Sequence, residues 1–400
     1  MFESEKKSLN FFRVLRSIWQ TEGISRVALS RRIGLDKSTV SLIVKELIKM
    51  GIVETYRLSE DAAVIGRKPI GLRVSSRFGF VLGINAQPDI YTVVALDLAG
   101  REIYREQATP ESDRLVPGVT TIVERVLAAG ALDQMCLVGL GVSLSGIVDS
   151  EAGVVALSFP FEQDAVEKVS VGRALTERFG IPVMVDNDAN CCAWGVLTER
   201  KNEDIRNFLF VLIEAHKRRA DSARYDGVGI GIGIGIDGKV YGGTRQAAGE
   251  FRSVFAGPVK SSQFSLSREE SFRVTEDDAV FDRFVHELAQ NIALLANTFD
   301  MSHVFVDGNV NDRQAVIGTA FESAIQENWA YESARESRVE FTLRGEYAAA
   351  IGAGSMFLQR LFLEPEYGTD LAGMNRWLRS VVRAGSRTRI ADRDGAIETA

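Results

Sequence analysis

Apolar residues recur at helical spacing through the first fifty positions. Phe11, Phe12, Leu15, Ile18 and Trp19 fall three and four apart and predict an amphipathic helix over residues 8–20, stopped by Gly23. A second, short helix is expected over 25–33, with Val27, Ala28 and Ile33 facing inward. Gly34 then supplies a tight turn, and Asp36 is placed to cap a third helix over 37–50. That helix separates into two faces. Val40, Ile43, Val44, Leu47 and Ile48 form the stripe that must bury, while Lys37, Ser38, Thr39, Ser41 and Lys45 stay outside. Two strand-like runs follow, at 51–54 and 68–74, around a loop carrying Gly66, Arg67 and Lys68.

From Phe78 the pattern changes to apolar strands alternating with amphipathic helices, which indicates α/β layers. Strands are expected at 80–85, 91–96, 137–142, 183–185, 208–213, 228–236 and 304–309. Helices are expected at 115–129, 171–179, 277–299 and 347–361. The run 229–236 (GIGIGIGI) invites a nucleotide-loop interpretation. Its strict period of two predicts instead a strand, with isoleucines on one face and glycines allowing close packing on the other.

Charge divides the 400 residues in the same place. Residues 1–77 hold 15 lysines and arginines against 8 acidic residues, a formal charge of +7. The remainder holds 32 against 46, a charge of −14. A basic head on an acidic body directs only the head towards polyanions. Three short helices, a turn glycine and a hairpin with a basic tip predict a winged helix-turn-helix. In such a fold the first turns of the third helix face base edges. Lys37, Ser38, Thr39, Ser41 and Lys45 are then the candidate DNA contacts, with Arg67 and Lys68 on the wing. A three-helix module that binds protein is the alternative. Residues 1–10 lack the order of a signal peptide, and no stretch suggests a membrane span. Cys136, Cys191 and Cys192 fit no disulfide framework, so a reducing cytoplasm is expected.

Five body segments, in order over about 270 residues, resemble the ROK family of repressors and sugar kinases: 139–149 (GLGVSLSGIVD), 185–190 (VDNDAN), 236–241 (IDGKVY), 247–250 (AAGE) and 345–354 (GEYAAAIGAG). The resemblance implies an actin-like (ribonuclease H-like), two-lobed α/β body behind the head. The expected division is 1–77 for the head, 78–195 for the first lobe completed by 343–364, 196–342 for the second lobe, and 365–400 for a tail. It also implies that Asp188 occupies the position of the family's catalytic base, that Asn187 matches a sugar-hydroxyl ligand, and that Glu250 matches an acidic sugar ligand; the alternative is that Asn187 and Asp188 merely fix a strand-to-helix turn. Ser145, Gly146 and Ser253 complete the candidate ligand set.

Three departures from the family argue against catalysis. The opening phosphate turn, Asp-x-Gly-Gly-Thr in the kinases, is here 83–89 (GINAQPD), with Pro88 removing a backbone donor. The second turn, Gly-Thr-Gly, is Gly227-Val228-Gly229. Serine stands at position 253, where the family places a histidine, and 254–274 contains no cysteine or histidine, so no zinc site is expected. His216, His286 and His303 are expected to be isolated surface or packing residues. The polar stretch 214–226 (EAHKRRADSARYD) is expected to be a solvated loop, with ligand or partner contact as the alternative. Together these features predict a sugar-responsive DNA-binding regulator, dimeric or larger, with no cofactor and no kinase activity. The alternatives are an active sugar kinase with a regulatory head, and a constitutive regulator with a vestigial pocket.

Overall fold

A computed structural model of the chain describes residues 2–57, 70–158, 161, 170–216, 227–258 and 262–363. The head opens with α1 (Phe2–Gln20), which begins earlier than the apolar spacing suggests. It continues with α2 (Arg26–Ile33), α3 (Lys37–Lys49) and the antiparallel pair β1 (Val53–Arg57) and β2 (Ile70–Val74). Ser25 caps α2, and Gly34 ends it in the left-handed region at φ 67°. The inward face of α2 differs from expectation. Leu29 and Ile33 are buried, whereas Val27 is 44% exposed and Ala28 lies on the surface. Residues four apart share a helix face, so Leu29 belongs with Ile33, and the expected stripe was phased one residue early. The wing tip with Gly66, Arg67 and Lys68 falls outside the described residues, as do most of 214–226 and the tail.

The first lobe contains β3 (Gly79–Ala86), β4 (Tyr91–Asp97), β5 (Glu102–Ala108), α4 (Leu115–Ala128), β6 (Cys136–Leu144), the small hairpin β7 (Ile147–Asp149) and β8 (Val154–Leu157), α5 (Val171–Phe179) and β9 (Val183–Asn187). Its sheet runs β5-β4-β3-β6-β9, with the first two pairings antiparallel and the last two parallel. Then comes α6 (Asp188–Glu199), which leads to the second lobe. This comprises β10 (Phe208–Ala215), β11 (Val228–Ile236), β12 (Lys239–Val240), α7 (Arg268–Ser271), α8 (Asp278–Thr298), β13 (His303–Gly308), α9 (Gln314–Glu327) and β14 (Arg338–Phe341). The second sheet runs β12-β11-β10-β13-β14. The chain closes on the first lobe with α10 (Ala348–Leu363). This is a winged helix-turn-helix joined to an actin-like, two-lobed α/β body.

Helices α6 and α10 lie between the sheets, and small residues set how closely they approach. A Cβ on Gly83 would stand 2.0 Å from the Ala350 carbonyl oxygen, so α10 lies directly on β3. One on Gly233 would stand 2.4 Å from the Ala189 carbonyl oxygen, so α6 rests on β11. The glycines of β11 therefore serve packing, as its alternation predicts. The head is not a separate ball. Trp19, Ile18 and Leu15 share one apolar core with Leu98 of the first lobe and Phe357, Leu361 and Phe362 of α10.

Candidate functional site

Two surfaces concentrate the chemistry. The first is the start of α3. The Asp36 carboxylate accepts the Thr39 amide (2.8 Å) and the Thr39 hydroxyl (2.6 Å), and the Ser38 hydroxyl as well. These donors hold the Asp36 carboxyl well below the usual carboxylate range, with the Ser38 bond contributing most. The arrangement commits the hydroxyl protons of Ser38 and Thr39 inward and leaves their oxygens as acceptors. Lys37, Ser38, Ser41 and Lys45 are exposed, and Thr39 partly so. Between them lies Leu42, 69% exposed and off the apolar stripe. A cation, short acceptors and one apolar side chain on a rigid helix form a surface able to read base edges.

The second surface is the cleft between the lobes. The parallel pairing of β6 with β9 brings the end of the 139–149 segment beside the start of α6. Asn187 caps that helix, its oxygen accepting the amides of Ala189 (2.9 Å) and Asn190 (3.4 Å), while its Nδ2 donates to the Gly146 carbonyl (3.0 Å). Gly146 sits at φ 140°, and a Cβ there would be 2.2 Å from the Leu157 carbonyl oxygen. Ser145 donates its hydroxyl to Asp188, and Ser158 donates to the Ser145 carbonyl (2.7 Å). Asp188 is buried at the helix N-terminus and also accepts the Ala189 amide at 2.7 Å. Burial pushes its carboxyl upward, against the Ser145 bond that lowers it. The structure thus gathers Ser145, Gly146, Asn187 and Asp188 into one hydrogen-bonded cluster.

Glu250 reaches the same cleft from the other lobe. Residue 250 bridges to Gly231 of β11, and Gly231 lies against Ala189 and the Asp188 carboxylate. Glu250 is open to solvent at the rim, and partial desolvation followed by the charge of Asp188 raises its carboxyl. Ser253 is placed differently. It is 3% exposed, and its hydroxyl accepts Nδ2 of Asn291 on α8 (3.1 Å) and the Phe255 amide (3.1 Å). That hydroxyl is turned into the second lobe.

Sequence reasoning missed two groups on the cleft floor. Glu214, at the end of β10, accepts Nε2 of Gln87 from the opposite lobe at 3.1 Å. Burial and the charge of Asp188 push its carboxyl up to about 8. His216, expected to be isolated, lines the same cavity, and burial lowers its pKa while Asp188 opposes that shift. Both lie in the polar stretch 214–226, whose composition resembles a loop while its first residues extend β10. The positions equivalent to phosphate turns are otherwise engaged. Asn85 is buried and accepts the Ser143 hydroxyl (3.2 Å), and the Gly227 amide donates to Ser271 (2.8 Å). Among the described residues no group of three or more His, Cys, Asp and Glu side chains is placed to hold a metal ion, and no helix is long and apolar enough to cross a membrane.

Residues 81–262 match the ROK family model, and residues 7–62 match the MarR family model. Residues 81–262 thus form a ROK family domain, and residues 7–62 a MarR-type winged helix at its head. The xylose repressor of Caldicellulosiruptor bescii is 27% identical over 248 residues, which span 61% of this chain and 58% of that repressor. The DNA-binding transcriptional repressor Mlc of Escherichia coli is 26% identical over 191 residues, 47% of this chain and 46% of Mlc. A beta-glucoside kinase of Listeria innocua is 22% identical over 306 residues, 67% of this chain and 97% of the kinase. The matches to the repressors thus span about half of their length. Among solved structures, a ROK family transcriptional regulator homologous to the E. coli MLC protein superposes over 94% of this chain and 99% of its own, with a TM-score of 0.70 at 19% identity. A ROK glucokinase from Streptomyces griseus, solved with glucose and AMPPNP, covers 70% of this chain and 99% of its own, with a TM-score of 0.51 at 19% identity. At such identities the superpositions establish the shared fold. Regulators and kinases both use that fold, so function has to be argued from this chain's own residues.

Proposed function

We propose that this ROK chain is a DNA-binding transcriptional repressor of carbohydrate-metabolism genes. Its body binds a sugar or sugar derivative in the interlobe cleft and transfers no phosphate. The observation that carries the proposal is a pairing. An exposed, cationic face of α3 is mounted on a body whose cleft keeps Asn187, Asp188 and Glu250, while Pro88 and Asp89 stand in the opening turn and the Gly227 amide is engaged by Ser271. Carboxylates and side-chain amides suit adjacent sugar hydroxyls, because they chelate donors and acceptors together. The similarity to the xylose repressor and to Mlc supports the same reading. Lys37, Ser38, Thr39, Ser41 and Lys45 contact DNA, with Arg67 and Lys68 on the wing. Asn187, Asp188, Glu250, Ser145 and Gly146 hold the effector. Ser253 acts at most through its neighbours, since its hydroxyl faces Asn291.

The protein works in the cytoplasm as a homodimer or larger assembly, because winged helices of this type read paired half-sites. Residues 1–77 form the head, 78–195 with 343–364 the first lobe, 196–342 the second, and 365–400 the tail. A gel shift against DNA upstream of the protein's own gene, with and without pooled neutral sugars, tests the proposal. Specific binding altered by a sugar is expected, with a coupling of ~1–3 kcal/mol. Absence of specific binding by a verified oligomer at low salt overturns it. Retention of Asp188 favours a second reading, an active sugar kinase. ATP-dependent phosphorylation of a sugar, abolished in Asp188→Asn, would establish it.

A further inference from the structure

Close to Asp188 the cleft holds a cavity of about 120 Å³ whose walls come from both lobes. Asn85, Gln87 and Thr92 face it from β3, the following turn and β4; Glu214, His216 and Asn309 face it from the ends of β10 and β13. Thr92 is 3% exposed, and its hydroxyl has no hydrogen-bond partner. An orphan hydroxyl destabilises a fold, and valine fills the same shape without that cost. No side chain or backbone group among the described residues serves this hydroxyl, and it borders the cavity. Among the described residues that line the cavity, no lysine or arginine offers a cation to phosphate. Gln87 and Asn309 present amides, and the raised carboxyl of Glu214 holds its proton near neutral pH. Glu346 lines the cavity as well, and the charge of Asp188 bears on Glu214.

We propose that this cavity is a second subsite of the effector pocket, which takes an uncharged, hydroxyl-bearing extension of the sugar held at Asp188, such as a second sugar ring, with Thr92 as a hydrogen-bond partner. The proposal rests on the reading of the cleft as a sugar site. Phosphorylated sugars are disfavoured in the subsite, because among the described residues the anion would meet the carboxyl groups of Glu214 and Glu346 and no lysine or arginine.

Calorimetric titration of the full chain with D-xylose, D-glucose, xylobiose, cellobiose, maltose and glucose 6-phosphate provides the test. At least one neutral disaccharide should bind more tightly than its component monosaccharide, and glucose 6-phosphate should gain nothing over glucose. Thr92→Val should weaken the preferred disaccharide about fivefold, the worth of one hydrogen bond, and leave the monosaccharide within about twofold. Thr92→Ser, which keeps the hydroxyl, should retain the disaccharide preference even if the valine variant folds poorly. Disaccharides that bind no better than monosaccharides overturn the subsite alone, as does a preference that survives Thr92→Val. A wild-type chain that binds none of these sugars overturns the subsite together with the sugar reading beneath it.

Discussion

Trp19 of the head stacks on Phe362 at the end of α10, the ring centroids 5.0 Å apart and the planes inclined by 16°. The indole N–H donates to the Leu98 carbonyl at 2.9 Å, and Lys201 lies 4.5 Å from the ring while its ammonium donates to the Ala99 carbonyl. One side chain of α1 is thus held by the β4–β5 turn, the segment after α6 and the end of α10. Those two helices also bear on the cleft: α6 begins at Asp188, and a Cβ on Gly352 of α10 would stand 2.0 Å from the Cys191 carbonyl oxygen of α6. The cleft and the head therefore lie at opposite ends of one packed pair. Such a pair can carry a two-state shift if effector binding prefers one arrangement.

Trp19→Phe should uncouple the two ends. The exchange leaves the Leu98 carbonyl without its donor and alters the stack, at a cost of about 1–2 kcal/mol in stability. Sugar affinity of the body should stay within about twofold, while the sugar-induced change in DNA affinity falls severalfold. Calorimetry and gel shifts on the same preparation measure the two quantities. An unchanged sugar response would mean that coupling runs outside this stack.

The face of α3 gives separable outcomes. Lys37→Ala and Lys45→Ala should each weaken DNA binding across sequences and lower the salt slope by about 1 if each neutralises one phosphate. Ser41→Ala and Leu42→Ala should instead change which sequences are preferred, by ~1–3 kcal/mol per affected base pair. Asp36→Ala should cost about 1 kcal/mol of fold stability through the lost cap. Selection of binding sites from random DNA, repeated over a salt series, distinguishes these classes.

Much of this arrangement is legible in the sequence, for identifiable reasons. Strong periodicity placed α3, β11 and α8 within a residue or two, because apolar spacing alone determines which face buries. The cap at Asp36 and the turn at Gly34 follow from local chemistry. The face of α2 differs from expectation because eight residues offer too few turns to fix its phase. Strands β5, β7, β8, β12 and β14 are not among those expected: the polar alternation of β5 and the brevity of the others leave little pattern in the sequence. In the cleft, the cluster of Ser145, Gly146, Asn187 and Asp188 draws on two segments, 139–149 and 185–190, which the pairing of β6 with β9 brings together. The pairing of Gln87 with Glu214 joins residues 127 positions apart, and no local signal announces such a meeting. Ser253 was placed by its position in a family pattern, and the structure turns its hydroxyl towards Asn291 instead.

Close approach of α10 to β3 predicts sharp intolerance at Gly83. A methyl there would stand 2.0 Å from the Ala350 carbonyl oxygen and 2.6 Å from the Gly354 nitrogen. Backbone on both sides leaves no flexible atom to yield, so Gly83→Ala should cost at least ~1–3 kcal/mol. At Gly257, by contrast, a Cβ would meet nothing within 4 Å, and Gly257→Ala should remain within about 0.5 kcal/mol of wild type. Denaturant midpoints at constant m-value compare the two directly.

The last prediction concerns pH and the carboxyl of Glu214. Burial, reinforced by the charge of Asp188, pushes it up to about 8 in the folded chain, against an ordinary value of 4.5. Between these values the folded state keeps a proton that the unfolded chain releases. Its contribution to stability is therefore complete below pH 4.5 and declines as pH rises towards 8, with a slope of at most ~1.4 kcal/mol per pH unit. Asp188 and Glu250, both raised, act in the same direction, while the lowered His216 adds stability as pH rises through its range. Comparison with Glu214→Gln isolates the one group, since the amide is neutral throughout and can still accept from Gln87. Wild type should lose stability relative to Glu214→Gln between pH 5 and pH 8, measured by denaturant unfolding at each pH. A constant difference across that window would mean that Glu214 is already ionised in the folded cleft, and would add a second negative charge beside Glu346 in the wall of the proposed second subsite.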